Sequence, residues 1–336
     1  MLEKLKSIPF SILVKSRSAF SGIGLGKIPG MMPVYDYLYG FFWPENDILE
    51  VQGSKMYLNI HDKSHGMTFR YYAVNRIHEE FTTILFKKVV NEGDIVVDCG
   101  TNIGYFTLLA AKLTGKKGKV YSFEPEPKNF NFLLKNIELN SYDNVFAAQK
   151  AVSDRAGTVK LYICPYDTGH HTINQYGGIK EYRPDFIDNK KDFIEIEAVS
   201  LDDYFKDLNQ PINVIKMDVE GAELLALSGM NRIIHESKNL KMFVEFFPLL
   251  IREMGGSPEE FVRRLLEDYQ FSIFVIGHDY SMHDNSSNKA YLKINSVDEI
   301  MNICKGKNDH INLFLMKSED KDDEKLFHIF SENSIK

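Results

Sequence analysis

The chain has 336 residues, of which 44% are hydrophobic and 26% are charged, a balance that is ordinary for a globular protein and excludes wholesale disorder. Its formal net charge of -7 argues against a nucleic-acid binder, which needs a basic surface. Three separate cysteines, Cys99, Cys164 and Cys304, exclude a disulfide framework and predict a reducing, cytoplasmic location.

The first 74 residues are predicted to form a leader and a small hairpin. Glycines and prolines interrupt residues 1–45, whereas residues 48–60 alternate loosely around Gly53. Lysines flank the apolar run at residues 8–14, which is too short to span a bilayer. We expect a packed helix there, with a weak peripheral membrane contact as the alternative.

From residue 94 onward, strand and helix patterns alternate and predict a parallel α/β sheet. The predicted strands cover residues 94–99, 118–123, 145–152, 212–217, 241–246, 271–276 and 311–316. The predicted helices cover residues 105–113, 128–139, 222–234 and 259–266. No clear helical pattern separates the last two strands, so they are predicted to form an antiparallel hairpin.

An insertion interrupts this series. Residues 158–163 and 193–199 both alternate apolar and polar side chains, and a polar stretch at 165–192 lies between them. This predicts two antiparallel strands beside the sheet edge, joined by a long loop of the kind that is usually functional. At the other end of the chain, the mixed charges of residues 318–325 predict a solvated tail.

The segment from Asp98 to Gly104 lies where a buried strand turns into a helix. Glycines at such a junction let the backbone turn sharply and approach a ligand closely, and the helix N-terminus offers free amide donors. Glu124, at the end of the next strand, can accept two hydrogen bonds from a ribose diol. Together these features predict a nucleoside bound across the carboxyl ends of the strands.

The turn differs from the dinucleotide fingerprint G-x-G-x-x-G, because Asn102 and Tyr105 occupy two of the glycine positions. A G-x-N-x-G turn after an acidic residue is typical of S-adenosylmethionine (SAM) methyltransferases, and Asp98 suits a ligand that carries an ammonium and a sulfonium group. A nicotinamide-dependent oxidoreductase and a catalytically inactive SAM-fold binding module remain the alternatives.

Asp218, Glu220 and Glu245 follow or end two further predicted strands, which should place them on the same edge of the sheet. A hydroxyl acceptor gains from a general base, and these acids are candidates together with His170 and His171 of the insertion. The three acids also offer hard oxygen ligands for Mg²⁺ or Ca²⁺, but nothing in their spacing requires a metal, so we predict none.

Five sequence motifs occur in a recognisable order: residues 93–107, 123–125, 151–157, 199–204 and 215–223. In these motifs the chain resembles the FkbM family of SAM-dependent methyltransferases. The resemblance implies a Rossmann-like seven-stranded methyltransferase sheet with an antiparallel hairpin insertion and an N-terminal extension. It implies a methyltransferase domain at 75–317, between the leader at 1–74 and the tail at 318–336.

The resemblance also implies transfer of a methyl group from SAM to a hydroxyl of a sugar, glycan or small metabolite, with S-adenosylhomocysteine as the second product. The cofactor positions that it carries over are Asp98, Gly100, Thr101, Asn102, Gly104, Glu124, Pro125, Ala151 and Asp218. Glu79 is added because His78-Glu79-Glu80 matches a family position that usually reads Tyr-Glu-Pro. The family often shows Glu-x-His where this chain has Glu245-Phe246-Phe247, so the role of that histidine is lost or has moved to His170 or His171.

Overall fold

The structure, a computed structural model, describes residues 47–59, 77–164, 171–173, 192–277 and 291–317, together with isolated positions such as Asp279. Most of the leader, His170 and the tail at 318–336 lie outside the described residues. The chain divides into two compact units, Met1–His78 and Glu79–Lys336. Every helix in the described ranges is too short or too polar to cross a membrane.

The described part of the smaller unit contains the predicted hairpin. Its strands are β1 (Ile48–Val51) and β2 (Ser54–Tyr57), which pair antiparallel with Val51 opposite Ser54. Gln52 and Gly53 both have positive φ, as a two-residue type I′ turn requires. Alternate side chains of the hairpin are buried, which explains the alternation in the sequence.

The larger unit is a layered α/β structure. Its strands are β3 (Ile95–Cys99), β4 (Lys119–Phe123), β5 (Val145–Ala148), β6 (Ala151–Val152), β7 (Gly157–Tyr162), β8 (Phe193–Val199), β9 (Val214–Met217), β10 (Lys241–Phe246), β11 (Ser272–Ile276), β12 (Tyr291–Ile294) and β13 (Ile311–Met316). Its α-helices are α1 (Glu80–Val89), α2 (Tyr105–Thr114), α3 (Pro127–Asn140), α4 (Leu201–Tyr204), α5 (Glu223–Ser228), α6 (Asn231–Glu236), α7 (Pro248–Glu253), α8 (Pro258–Arg263) and α9 (Val297–Ile303). A π-helical stretch, Arg264–Asp268, continues α8.

The main sheet has the strand order β12-β11-β13-β10-β9-β3-β4-β5. The five strands from β10 to β5 are parallel, whereas β13 runs antiparallel to both β10 and β11. This confirms the predicted Rossmann-like sheet and the antiparallel pairing of the last two predicted strands. It adds β12 as an eighth strand at the edge, next to β11.

The central strands are buried on both faces, as their continuous apolar runs predict. Val96 and Val97 of β3 and Ile215 of β9 have no measurable solvent exposure. Their side chains point to opposite faces of the sheet, so helices on both sides must cover them. The core therefore holds the parallel strands rigidly and fixes where their carboxyl ends lie.

The strand predicted at residues 145–152 is wrong as a single element. Val145–Ala148 joins the main sheet as β5, but Ala151–Val152 pairs with β8 in a separate three-stranded sheet. The chain turns after Ala148, whose carbonyl accepts a hydrogen bond from the Lys150 amide. The predicted antiparallel insertion is confirmed, since all of β7 pairs antiparallel with residues 193–198 of β8.

The helix predicted at residues 222–234 is broken into α5 and α6 between Ser228 and Asn231. The break is stabilised from α4, where the Asp202 carboxylate accepts hydrogen bonds from the Arg232 and Ile233 amides at 2.8 and 2.9 Å. A carboxylate from another helix thus caps the start of α6, which the local pattern does not show.

The prediction of no helix before the last strand is also wrong, because α9 lies there. Its sequence signal is a capping box, Ser296 followed three residues later by Glu299. The Ser296 hydroxyl accepts from the Glu299 amide, and the Glu299 carboxylate accepts from the Asn295 amide. The short helix and the four-residue strand β12 are both below the length at which periodicity is informative.

Gly100 provides a test of how closely β3 and β9 approach. It has a φ of +79°, and a Cβ atom there would lie 1.7 Å from the carbonyl oxygen of Asp218. We expect Gly100→Ala to lower the free energy of unfolding by about 3 kcal/mol, because both the backbone conformation and the contact become unfavourable. Urea unfolding measures the change.

Gly157→Ala is the matched control. Gly157 begins β7, and no heavy atom lies within 4 Å of the Cβ that alanine would add there. We expect a change below about 0.5 kcal/mol in the free energy of unfolding. Equal effects of the two substitutions would contradict the close approach of β3 and β9 at Gly100.

Candidate functional site

The carboxyl ends of β3, β4, β9 and β10 lie side by side, because these strands are parallel neighbours in the sheet. An acidic residue stands at or directly after the end of each strand: Asp98, Glu124, Asp218 and Glu245. This edge is where open α/β sheets bind their ligands. The predicted site residues that follow different strands are therefore brought to one edge.

The glycine turn follows β3 and leads into α2. The amides of Gly100 and Thr101 donate to the Phe123 carbonyl, and so does the Thr101 hydroxyl, at 3.0 Å for the hydroxyl. Asn102 has a φ of 51°, in the left-handed region that side chains other than glycine rarely adopt. These contacts tie the turn to the end of β4.

Glu124 completes this part of the site and is almost fully buried. Its carboxylate accepts hydrogen bonds from the amides of Asn102 and Glu126, at 2.7 and 3.0 Å. Burial raises the pKa of Glu124 to about 8, against the opposite effect of these amides. A carboxyl group keeps acceptor capacity beyond these two bonds whether or not it is protonated, so it can still accept from a ligand hydroxyl.

Asp98 lies below the turn, 3% exposed, and its side chain contacts the start of α2. Its carboxylate accepts a hydrogen bond from the Thr107 hydroxyl at 2.7 Å, and Thr107 also contacts the Ser122 hydroxyl of β4. Burial raises the pKa of Asp98 to about 6, while the Thr107 bond and nearby Lys216 lower it. Asp98 therefore gains or loses its proton near neutral pH.

Lys216 lies among these acids, and the sequence analysis did not identify it. It lies in β9 between Asp98 of β3 and Phe243 of β10, and its side chain is 2% exposed. The ammonium group is 3.4 Å from the Asp218 carboxylate and 3.8 Å from that of Glu79. The available signal was a lysine in the otherwise apolar strand Val-Ile-Lys-Met, since buried lysines need a partner.

Burial by itself lowers the pKa of Lys216, but its acidic neighbours reverse the effect. Glu79, Asp218, Glu245 and Asp98 together raise the pKa of Lys216 above its usual value. The residue is therefore a buried cation, with the aromatic ring of Phe106 also 5.1 Å from its ammonium group.

Glu79 reaches Lys216 from the residue before α1. Its φ of 44° lies in the left-handed region, and its side chain makes no capping hydrogen bond to α1. Asp279 caps the helix instead, accepting from the amides of Phe81 and Thr82 at 2.7 and 2.9 Å. The sequence analysis did not identify Asp279, because its partners are almost 200 residues away.

Asp218, Glu220 and Glu245 form a tight acidic group, with one carboxylate oxygen of each within 4.8 Å of the others. All three are half-buried. Burial raises the pKa of Glu245 well above its usual range, and repulsion from Asp218 and Glu220 raises it further. The spacing would also accommodate a cation, but the described structure contains no further mark of one, and the absence of a metal stays a prediction.

The insertion contacts this group through the hydroxyl of Thr172, which donates to the Glu220 carbonyl at 2.8 Å. Next to it, the ring nitrogen Nδ1 of His171 accepts from the Cys164 amide, so the proton of neutral His171 is on Nε2. His170 lies outside the described residues. Of the remaining predicted positions, Pro125 directly follows Glu124, whereas Ala151 belongs to the separate small sheet.

The residues of this edge fit SAM by their chemistry. Four carboxyl groups, those of Glu79, Asp98, Asp218 and Glu245, act on the one ammonium group of Lys216, so acidic groups outnumber basic ones around a ligand with an ammonium and a sulfonium. The buried Oδ1 atom of Asn102 has no hydrogen-bond partner in the structure and suits a ligand hydroxyl or ammonium donor. A diphosphate would be repelled by the same carboxylates.

Comparison with known proteins gives a consistent family signal. The model for the methyltransferase FkbM domain matches residues 98–273. Methyltransferase sdnD from Sordaria araneosa is 28% identical over 233 residues, which are 60% of this chain and 86% of that protein. Hexuronic acid methyltransferase AglP from Haloferax volcanii is 26% identical over 190 residues, which are 56% of this chain and 67% of that protein.

Among solved structures, the chain is similar to the crystal structure of methyltransferase FkbM from Methylobacillus flagellatus. The two are 15% identical, with a TM-score of 0.38, and the match covers 76% of this chain and 55% of that chain.

The buried Asp98 predicts a pH dependence of stability. Its pKa rises from 3.8 to about 6 on folding, so the folded state holds more protons between these values. The free energy of unfolding therefore falls as the pH rises through this window, by on the order of 2–3 kcal/mol for this group. Asp98→Asn should remove that fall, since asparagine stays neutral and the Thr107 hydroxyl can reorient toward it.

Urea unfolding of both proteins between about pH 4 and 7 measures the difference, because contributions from other groups cancel. Asp143→Asn is the control, since Asp143 is exposed in a turn. Parallel pH curves for wild type and Asp98→Asn would contradict the buried, proton-holding state of Asp98.

Proposed function

The chain belongs to the FkbM methyltransferase family, and from this premise we propose that it is a SAM-dependent O-methyltransferase acting on a hydroxyl of a sugar, glycan or small metabolite. The observation that carries the proposal is the convergence of Asp98, Glu124, Asp218 and Glu245 on the edge where α/β sheets bind ligands. We assign the activity to the domain predicted at residues 75–317, between the leader at 1–74 and the tail at 318–336.

Each part of the edge has a separate task in this proposal. Glu124 accepts from the ribose hydroxyls, and the turn at residues 100–104 lies against the nucleoside. Asp98 and Asp218 attract the positive charges of SAM. When bound, SAM supplies an electrophilic methyl group on a sulfonium and leaves as the neutral thioether S-adenosylhomocysteine.

Methyl transfer to oxygen is an in-line displacement, so the protein contributes mainly by positioning and by accepting a proton. The acceptor oxygen forms a bond to the methyl carbon, and its O–H bond breaks. The proton passes to a carboxylate of the group formed by Asp218, Glu220 and Glu245. Because this group is half-buried, the proton can then leave to solvent.

A sugar acceptor is supported by one relative, since a hexuronic acid methyltransferase is 26% identical over 190 residues. Thr172 ties the insertion to the loop at Glu220, which puts the insertion beside the proposed proton acceptors. We propose that it contributes to the acceptor pocket. A cytoplasmic location is part of the same proposal, since Cys99, Cys164 and Cys304 are all buried free thiols.

The first step is tested by calorimetric titration with S-adenosylhomocysteine, with NADH as the comparison ligand. We expect saturable binding of S-adenosylhomocysteine and none of NADH. Glu124→Ala should weaken the affinity by about ten-fold or more, because it removes the hydrogen-bond partner proposed for the ribose hydroxyls. Glu92→Ala is the control, since Glu92 is exposed and forms a surface ion pair with Lys117.

The second step is a screen for transfer of an isotope-labelled methyl group from SAM to hexuronic acids, neutral glycans and small hydroxylated metabolites. Transfer to oxygen, identified by mass spectrometry of the product, is the expected result. No binding of S-adenosylhomocysteine at about 100 μM would exclude the proposed cofactor. Binding without transfer to any acceptor would favour the inactive binding module.

A further inference from the structure

Asp218 and Glu245 are close enough that they cannot both be ionised without strong repulsion. Their carboxylate oxygens, with that of Glu220, lie within 4.8 Å of one another. Like charges at this distance favour a single shared proton. The carboxyl group that does not hold this proton is the one that can accept a proton from a substrate.

The ammonium group of Lys216 distinguishes the two. Lys216 is the third residue of β9, and Asp218 directly follows the end of that strand. The ammonium is 3.4 Å from the Asp218 carboxylate, in hydrogen-bonding contact. No such ion pair joins Lys216 to Glu245 among the described residues.

The other carboxylates near Lys216 are enclosed. Glu79 is 2% exposed in its side chain and Asp98 is 3% exposed, whereas the side chain of Asp218 is 27% exposed. Asp218 is therefore the neighbour of Lys216 that an acceptor hydroxyl can reach. The ionisable groups that face this region are Glu79 before α1, Asp98 of β3, Asp218, Glu220 and Glu223 after β9, and Glu245 of β10.

We propose that Lys216 is a positioning residue that keeps the shared proton on Glu245 and so leaves Asp218 as the carboxylate that receives the proton of the acceptor hydroxyl. The inference rests on the proposed function and narrows its general base to one residue. In this role Lys216 acts through Asp218, with which it forms an ion pair. If position 216 served only for packing, an apolar residue would do as well as lysine, since the other residues of the strand, Val214, Ile215 and Met217, are apolar.

The test is a carbon-13 NMR titration of the whole chain, labelled at the aspartate carboxyl carbon. It is carried out in an Asp98→Asn background so that the nearest other aspartate is silent, and Asp218→Asn identifies the Asp218 signal. Asp218 should be ionised at neutral pH in the presence of Lys216. Lys216→Met should raise its titration midpoint by about one pH unit or more, because an adjacent positive charge is lost.

Three further variants separate charge from packing. Lys216→Gln, which is neutral but polar, should raise the midpoint as Lys216→Met does, and it serves if the methionine variant fails to fold. Lys216→Arg should leave the midpoint near that of the parent. Lys117→Met is the matched control, because the Lys117 side chain is 79% exposed.

A protonated Asp218 at neutral pH in the parent protein would overturn the proposal without any variant. An unchanged titration midpoint of Asp218 in Lys216→Met or Lys216→Gln, whichever of them folds, would also overturn it. The titration needs no methyl acceptor, so it is independent of whether S-adenosylhomocysteine binds. With an acceptor found by the screen, Asp218→Asn should lower kcat at least about a hundred-fold, as expected for loss of a general base, and a smaller loss than that of Glu245→Gln would overturn the assignment.

Discussion

One buried ammonium group, that of Lys216, organises the acidic edge of the sheet. The parallel strands bring carboxyl groups together because their carboxyl ends must all lie at the same side. Without a nearby cation, these carboxylates would repel one another or bind protons, since burial raises the pKa of Asp98 and of Glu245. The cation lowers this repulsion from inside, where solvent cannot screen it.

Lys216 depends in turn on the packing around it. Its strand, β9, lies between β3 and β10, and Glu79 approaches from the start of α1. A lysine without these partners would be costly to bury, and a carboxylate without Lys216 would be equally costly. The buried ammonium group and the buried carboxylates are therefore stable only together. Loss of either one leaves an unpaired charge and also disturbs the packing.

The loops that carry the acids are held in unusual backbone conformations. Glu79, Asn102 and Glu220 all have φ values near +50°, in the left-handed region. Such a residue costs on the order of 1–3 kcal/mol and persists where surrounding contacts hold it. Those contacts are present here: Asp279 caps α1, Glu124 accepts from the Asn102 amide, and Thr172 donates to the Glu220 carbonyl. Loops constrained in this way give a ligand a prearranged set of contacts.

Local sequence was sufficient to predict an element wherever the conformation of that element depends on its own residues. A strand buried on both faces has to be apolar throughout, and this located β3, β9 and β10 together with the acids at their ends. The glycine turn was equally visible, because Gly100 must approach the Asp218 carbonyl. Where distant groups decide, the local pattern failed: Asp202 caps α6, and pairing with β8 draws Ala151 away from the main sheet.

The sequence by itself thus determined the fold class and the order of the acidic residues along one edge of the sheet. Only the tertiary structure decided which charged side chains lie next to one another. Lys216 is a surface-type residue by composition and becomes a buried cation through strands and helices that are far apart in the chain. The physical reason is that burial and electrostatic proximity belong to the packed arrangement of several elements, whereas periodicity reports only which face of one element is apolar.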